Sequence, residues 1–230
     1  LASTGVKPVG SSFLTILKGT FKMKSIIFND EMVRAVLSGQ KTVTRRPIMK
    51  ICKDGPIWRS FGGNASTPSV KIKRKGKSVF APAKQPFKVG EVVYMRECFA
   101  QHPVLPEFNI FRATFALDAK SIYPGMKWTP SIHMGEDDSR VKMRITECYA
   151  EKLNDIPIVD YKKEGAELPV DFHEKYTYDE DKTHLDLLEG FAVELRKSFI
   201  KLWNSCYEDP YDWASNPYVW VIRFEVVNDE

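Results

Sequence analysis

Short strand-like runs outnumber helical ones along this chain, and the two kinds do not alternate. Ser25 to Phe28, Thr42 to Pro47, Val92 to Phe99, Ile110 to Leu117, Val141 to Tyr149 and Tyr218 to Val226 are rich in β-branched and aromatic residues. Only three segments have helical spacing. A parallel α/β sheet needs a crossover element, usually a helix, between successive strands, so that class is excluded. The pattern predicts an α+β fold: a small, mostly antiparallel β-barrel with helices packed outside it.

The helical segments carry their own punctuation. Asn29 offers an N-cap, Asp30 and Glu31 suit a first turn, and Met32, Val33, Val36 and Leu37 fall on one face before Gly39 supplies a stop. Ile158 to Gly165 predicts a second, short helix. Leu185 to Cys206 is the strongest, with Leu188, Phe191, Ala192, Leu195, Phe199, Leu202 and Trp203 along one face. That face is expected to be core packing.

Composition narrows the class further. A chain of 230 residues with 43% hydrophobic, 12% aromatic and 28% charged residues fits one well-buried domain and excludes wholesale disorder. No apolar run approaches the roughly 20 residues that span a bilayer, which predicts a soluble, cytoplasmic protein. Cys52, Cys98, Cys148 and Cys206 lack the spacing of a zinc site or a disulfide framework, so reduced thiols are expected. His102, His133, His173 and His184 show no metal-ligand spacing, and no glycine-rich phosphate loop is present. No metal and no cofactor are expected.

Residues 1–22 are rich in Ser, Thr and Gly and precede Met23, where a clean strand pattern opens. They form an extension, vector-derived or a native arm, ahead of a domain over 23–230. Residues 48–88 look like an insertion, punctuated by Gly55-Pro56, Gly62-Gly63 and Pro68. Within it, Lys71-Ile72-Lys73-Arg74-Lys75-Gly76-Lys77 puts five positive charges in seven residues, suggesting one strand of an exposed hairpin. The acidic run Asp171 to Asp186 suits a solvated loop or a helix lead-in.

The net charge of +4 conceals an asymmetry. Residues 1–115 hold 20 Lys+Arg against 6 Asp+Glu, and the remainder holds 14 against 24. Such a division fits a polyanionic partner, or two halves that fold together and cancel their fields.

Candidate chemistry concentrates at Gly39-Gln40-Lys41-Thr42-Val43-Thr44-Arg45-Arg46. Guanidinium groups suit planar contacts with phosphate or a base edge, so Lys41, Arg45 and Arg46 are candidates for holding an anion or a base. Thr44 is the candidate donor or nucleophile. The other reading is a solvated basic strand end. In a regular strand Lys41 and Thr44 face opposite ways, so they converge only if Lys41 precedes regular pairing. Trp128, Ser131 and His133 supply an aromatic ring, a hydroxyl and an imidazole on one loop, suited to stacking and edge contacts with an unpaired base or to closing the barrel. Lys71, Lys73, Arg74 and Lys75 would add phosphate affinity.

The run FNDEMVRAVLSGQKTVTRR resembles the N-terminal signature of the ASCH family, whose members have a PUA-like β-barrel. VGEVVYMRECFA, WTPSIHM followed by Ser139-Arg140, FIKLWNSCY and NPYVWVIRFE resemble the family's later blocks, especially those of the larger phage and bacterial members. The resemblance implies recognition of RNA or a modified nucleoside. One bacterial branch hydrolyses the acetamide of N4-acetylcytidine with a Lys and a Thr of this motif and a Glu of a later helix. Carried over by position, these are Lys41, Thr44 and Glu164. Three functions are therefore expected in turn: a nucleic-acid or nucleoside binder, an amidohydrolase on such a nucleoside, and a phage-type protein-interaction adaptor.

Overall fold

The computed structural model describes residues 22–48, 57–59, 67–74, 77–115, 125–172 and 184–227, with residues 57–59, 67–74, 77–82 and 184–185 described by their backbone. The extension up to residue 21, Cys52, Lys75, residues 116 and 117 of an expected strand, and most of the acidic run lie outside the described residues.

Strand β10 (Tyr218–Val227) organises the body. It pairs antiparallel with β9 (Lys142–Lys152) on one side and with β2 (Val43–Pro47) on the other. Strand β6 (Val92–Arg96) joins β9 antiparallel, and β1 (Lys24–Ile27) joins β6 in parallel. The result is a five-stranded mixed sheet in the order β1-β6-β9-β10-β2. Helix α1 (Asp30–Leu37) follows β1, α2 (Ile158–Lys163) follows β9, and α3 (His184–Cys206) precedes β10.

Alternation along β10 divides two cores. Trp220, Ile222 and Phe224 lie on the inner face with Met143, Ile145 and Cys148 of β9, Val93 and Met95 of β6, and Val33 and Val36 of α1. Val219 and Val221 lie on the outer face with Tyr161 next to Leu195, Phe199 and Trp203 of α3. The alternation on β9 changes phase at a bulge: Arg223 faces Glu147 but Phe224 faces Ile145, so β9 takes one extra residue there. In a regular strand without the bulge, Glu147 and Tyr149, rather than Cys148 and Ala150, would follow Ile145 inward.

Three expectations change. The expected barrel is open along its edges: among the described residues no backbone pairing joins β1 to β2. The Arg46 guanidinium spans the gap instead, its Nη2 donating to the Ile27 carbonyl at 2.5 Å. The expected strand from Val92 to Phe99 stops at Arg96, because buried Glu97 turns to a two-pronged pair with Arg140 (2.8 and 2.9 Å). Phe99–Gln101 becomes β7, paired with β8 (Asn109–Phe111) in a separate two-stranded ribbon. The expected strand from Ile110 ends at Phe111, where a 3-10 turn over Arg112–Thr114 brings the Arg112 amide to the Cys98 carbonyl (3.0 Å) and its side chain to Asp30 (2.7 Å).

Helix α1 starts as its sequence dictates, the Asn29 side chain accepting from the Met32 amide at 2.9 Å. Helix α3 buries its C-terminal half; Leu188, expected on the buried face, is 52% exposed. Residues of the insertion form a third sheet of β3 (Ile57–Arg59), β4 (Thr67–Arg74) and β5 (Lys77–Pro82), antiparallel throughout. Among the described residues no helix is long and apolar enough to cross a membrane.

Phe199 is 2% exposed and packs on Tyr161 and Trp203 with ring centroids 5.3 and 6.0 Å away. Phe199→Ala is therefore expected to lower unfolding free energy by about 3–5 kcal/mol, and Leu188→Ala by under about 0.5 kcal/mol. Urea unfolding of both variants checks this, and equal effects would contradict the packing of α3 on β10.

Candidate functional site

Two chain reversals build the site. After α1, Gly39 turns with φ +75°, and the Lys41 amide returns to the Ala35 carbonyl at 2.8 Å. Lys41 therefore precedes β2, which starts at Val43. After α2, the Glu164 amide bonds to the Asp160 carbonyl at 2.8 Å, and Gly165 ends the helix with φ +96°. The Thr42 amide donates to the Lys163 carbonyl at 3.1 Å and joins the two reversals.

Lys41 ends against the C-terminus of α2. Its Nζ donates to the Glu164 backbone carbonyl at 2.6 Å and to Glu164 Oε2 at 2.9 Å. One side chain thus caps an orphan helix carbonyl and neutralises the carboxylate of the same residue. Arg45 reaches the other oxygen of that carboxylate, Nη1 to Oε1 at 3.0 Å, and also Glu151 at 2.7 Å and Asp160 at 2.9 Å. Arg223, on β10 opposite the bulge of β9, closes on Asp160 at 2.7 and 3.2 Å. Lys41, Arg45, Asp160 and Glu164 are all buried.

Burial pushes the Lys41 amine below its ordinary value, with Arg46 and Arg45 adding to the shift and Glu164 opposing it. Burial also opposes the Arg45 charge, but Glu164, Asp160 and Glu151 outweigh it and raise the Arg45 pKa. Asp160 is buried against its charge too, yet its hydrogen bonds to Arg45 and Arg223 hold its carboxyl below the usual range.

Thr44 lies beside this cluster on β2, opposite Ile222. It is 3% exposed, and its hydroxyl has no hydrogen-bond partner among the described residues. Thr44, Arg45, Arg46 and Glu164 line a cleft along the free edge of β2, walled by Phe199, Leu202, Trp203 and Tyr207. Its interior is about 20 Å³, room for a single water. Lys41 is not on the cleft wall; it stands behind Glu164. Leu202 is shared with an outer cleft of about 550 Å³ lined also by Glu31, Arg34, Gly165 and Lys201.

Lys41, Thr44, Arg45, Arg46 and Glu164 are thus brought together, although the arginines already have partners. Besides Ile27, Arg46 donates to the Tyr207 hydroxyl at 3.2 Å, and its guanidinium lies over the Phe28 ring at 5.7 Å. Trp128, Ser131 and His133 sit elsewhere, on the loop covering β6 and β7. Trp128 meets Phe115 edge-on at 5.4 Å, Thr129 bridges to Phe99, and Ser131–His133 form one 3-10 turn. Lys71, Lys73 and Arg74 lie on β4, and Lys75 is outside the described residues.

Asp160, Glu151, Arg223 and Tyr207 were not among the candidates from the sequence. Asp160 had a signal: it precedes Glu164 by one helical turn. So did Arg223, a cation in step with the outward-facing Val219 and Val221. Comparison with family models, curated proteins and solved structures finds no match.

Breaking a buried ion pair from one side costs about 3–5 kcal/mol, which is the loss expected for Asp160→Asn at pH 7. The sign with pH follows from the lowered Asp160 pKa. Its contribution is complete above the ordinary value of 3.8 and disappears as pH falls through the depressed value. Urea midpoints between pH 7 and pH 2 should therefore fall less in Asp160→Asn than in the native chain. Parallel curves would show that Asp160 does not hold its charge in this cluster.

Proposed function

We propose that the chain is an ASCH-type module, with strands arranged in a PUA-like manner, that binds an uncharged modified nucleoside at Thr44 and Glu164. The observation carrying this reading is the buried Thr44 hydroxyl, left without a partner among the described residues. A buried hydroxyl without a hydrogen bond is costly, and such a group beside a cleft suits a ligand that supplies the missing contact.

Charge balance argues for the neutral ligand. With Arg46 on the cleft wall and Glu147 beside Arg223 at 3.3 Å, Lys41, Arg45, Arg46 and Arg223 stand against Glu147, Glu151, Asp160 and Glu164, four cations to four carboxylates. No surplus charge in this cluster attracts a phosphate. The exocyclic substituent of such a base needs only a hydrogen-bonding partner and a dry wall, and Phe199, Trp203 and Tyr207 furnish the wall. The outer cleft falls within the size range of small-molecule sites, and Leu202 stands between it and Thr44. In this reading the nucleoside occupies the outer cleft and an exocyclic substituent displaces Leu202 to reach Thr44.

A second reading is hydrolysis of an N4-acyl group, favoured by the lowered Lys41 pKa. In this reading the Lys41 amine, in its deprotonated form, takes the Thr44 proton through Glu164, which stands between Lys41 and the cleft. The Thr44 oxygen adds to the acyl carbon, and the C–N bond breaks as that proton passes to the departing amine. Water then cleaves the Thr44 ester, releasing acetate and restoring the hydroxyl.

Calorimetric titration with N4-acetylcytidine, with cytidine as control, tests the binding reading. The acetylated nucleoside is expected to bind, and Thr44→Val to weaken it at least about 10-fold, the cost of losing a buried hydrogen bond. Thr44→Val should also leave the fold as stable as before or more so, because the unpartnered hydroxyl is gone. Absence of binding to either nucleoside at millimolar concentration would reject the reading. Acetate release followed by proton NMR decides the second reading: turnover lost in Thr44→Val supports it, and an unchanged acetyl signal ends it.

A further inference from the structure

We propose that the β3–β5 sheet binds single-stranded nucleic acid, and that one of its two faces, carrying Arg59, Lys71, Lys73 and Phe80, is the contact surface. This surface is separate from the Thr44 cleft.

Register decides which residues share a face. Ile57 pairs with Ser69 and Arg59 with Thr67; Lys71 pairs with Phe80 and Lys73 with Ser78. Directly paired residues lie on the same face and alternate residues along a strand do too. One face therefore carries Arg59, Lys71 and Lys73, with Phe80 directly across from Lys71. The other carries Trp58, Val70, Ile72, Val79 and Ala81, with Arg74 and Lys77 paired at the turn end. The sheet is amphipathic: one face basic, the other apolar along most of its length.

The charge is one-sided in sequence as well. Residues 48–88 hold ten Lys+Arg and one acidic residue, Asp54, and the strands themselves hold no acidic residue. No acidic residue on the three strands offsets these cations, a composition that suits a polyanionic ligand. Lys71 and Lys73 are two residues apart on one strand, roughly 7 Å along it, a spacing comparable with successive phosphates of an extended polynucleotide. Phe80 beside them adds an aromatic surface, the combination that single strands use: cations along the backbone and a ring for an unpaired base. An acidic peptide would use the lysines but have no need of the ring.

The test compares two double variants that remove equal charge from opposite faces. Fluorescence anisotropy of labelled U20 RNA is measured with the full chain, with K71Q/K73Q and with R74Q/K77Q. K71Q/K73Q should weaken binding about 10-fold or more and lower the slope of log affinity against log salt by about 1.4, two single-strand contacts at roughly 0.7 each. R74Q/K77Q should change affinity no more than about 2-fold, since surface residues outside a contact patch contribute little. Phe80→Leu, which keeps the apolar volume, should weaken binding about 5-fold or more through lost stacking. Equal losses from the two double variants would overturn the assignment of the face. Failure of the native chain to bind U20, or equally strong competition by polyglutamate, would overturn the nucleic-acid ligand.

Discussion

An ammonium group removed from water costs several kcal/mol unless protein groups replace its hydration, and the Lys41 side chain is placed where α2 supplies that replacement. The Glu164 carbonyl is one of the orphan acceptors at a helix end, and the Glu164 carboxylate is the nearest anion. Both meet the same nitrogen. The arrangement needs Gly165 in the left-handed region, where its Cα lies close to Ala35 and to the Lys41 stem: a Cβ there would sit 3.6 Å from Ala35 Cβ and 3.9 Å from Lys41 Cδ. Through Arg45 the same carboxylate is tied to β9 and to the buried Asp160, and through Asp160 to β10. One ion cluster thereby fixes the α1–β2 connection, α2 and the centre of the sheet relative to one another.

Much of this is legible in the sequence. Period-two alternation in Tyr218 to Val226 and period-3.6 spacing near Phe199 are local signals, and both elements formed where those signals lay. The Lys41–Glu164 meeting was legible only through the family resemblance, because 123 residues separate the pair and no local pattern connects them. The sheet opening, the break at Glu97 and the bulge beside Glu147 had no local signal at all. Each depends on a partner far along the chain: Ile27 for Arg46, Arg140 for Glu97, Arg223 for Glu147. Leu188 shows the converse. Its helical spacing was correct, but spacing does not say where along a helix the neighbouring layer ends.

The arginines of the motif illustrate how tertiary context reassigns chemistry. In sequence, Arg45 and Arg46 are two adjacent cations after a turn, well suited to a phosphate. In the fold, Arg45 is enclosed by three carboxylates and Arg46 serves as a strut between sheet edges and toward Tyr207. The insertion over 48–88, by contrast, holds ten Lys and Arg residues against one acidic residue. On the proposed reading the chain separates two kinds of surface, a charge-balanced cleft for a neutral group and a basic sheet for a polyanion. The same separation gives physical content to the uneven charge of the two halves, since part of the excess in the first half is absorbed by carboxylates of the second and part remains on β3–β5.

The burial of Lys41 is the most exposed point of this account, and its titration tests it most directly. Carbon-detected NMR of lysine side chains, with the Lys41 signal assigned by its absence in Lys41→Met, follows the amine from neutral to alkaline pH. The account predicts a midpoint below the ordinary 10.5, separate from the surface lysines. Because the unfolded chain then binds more protons than the folded one, native stability should rise relative to Lys41→Met between that midpoint and 10.5. A Lys41 signal that titrates together with the surface lysines would place the amine in water, and the cluster at the end of α2 would not exist as described.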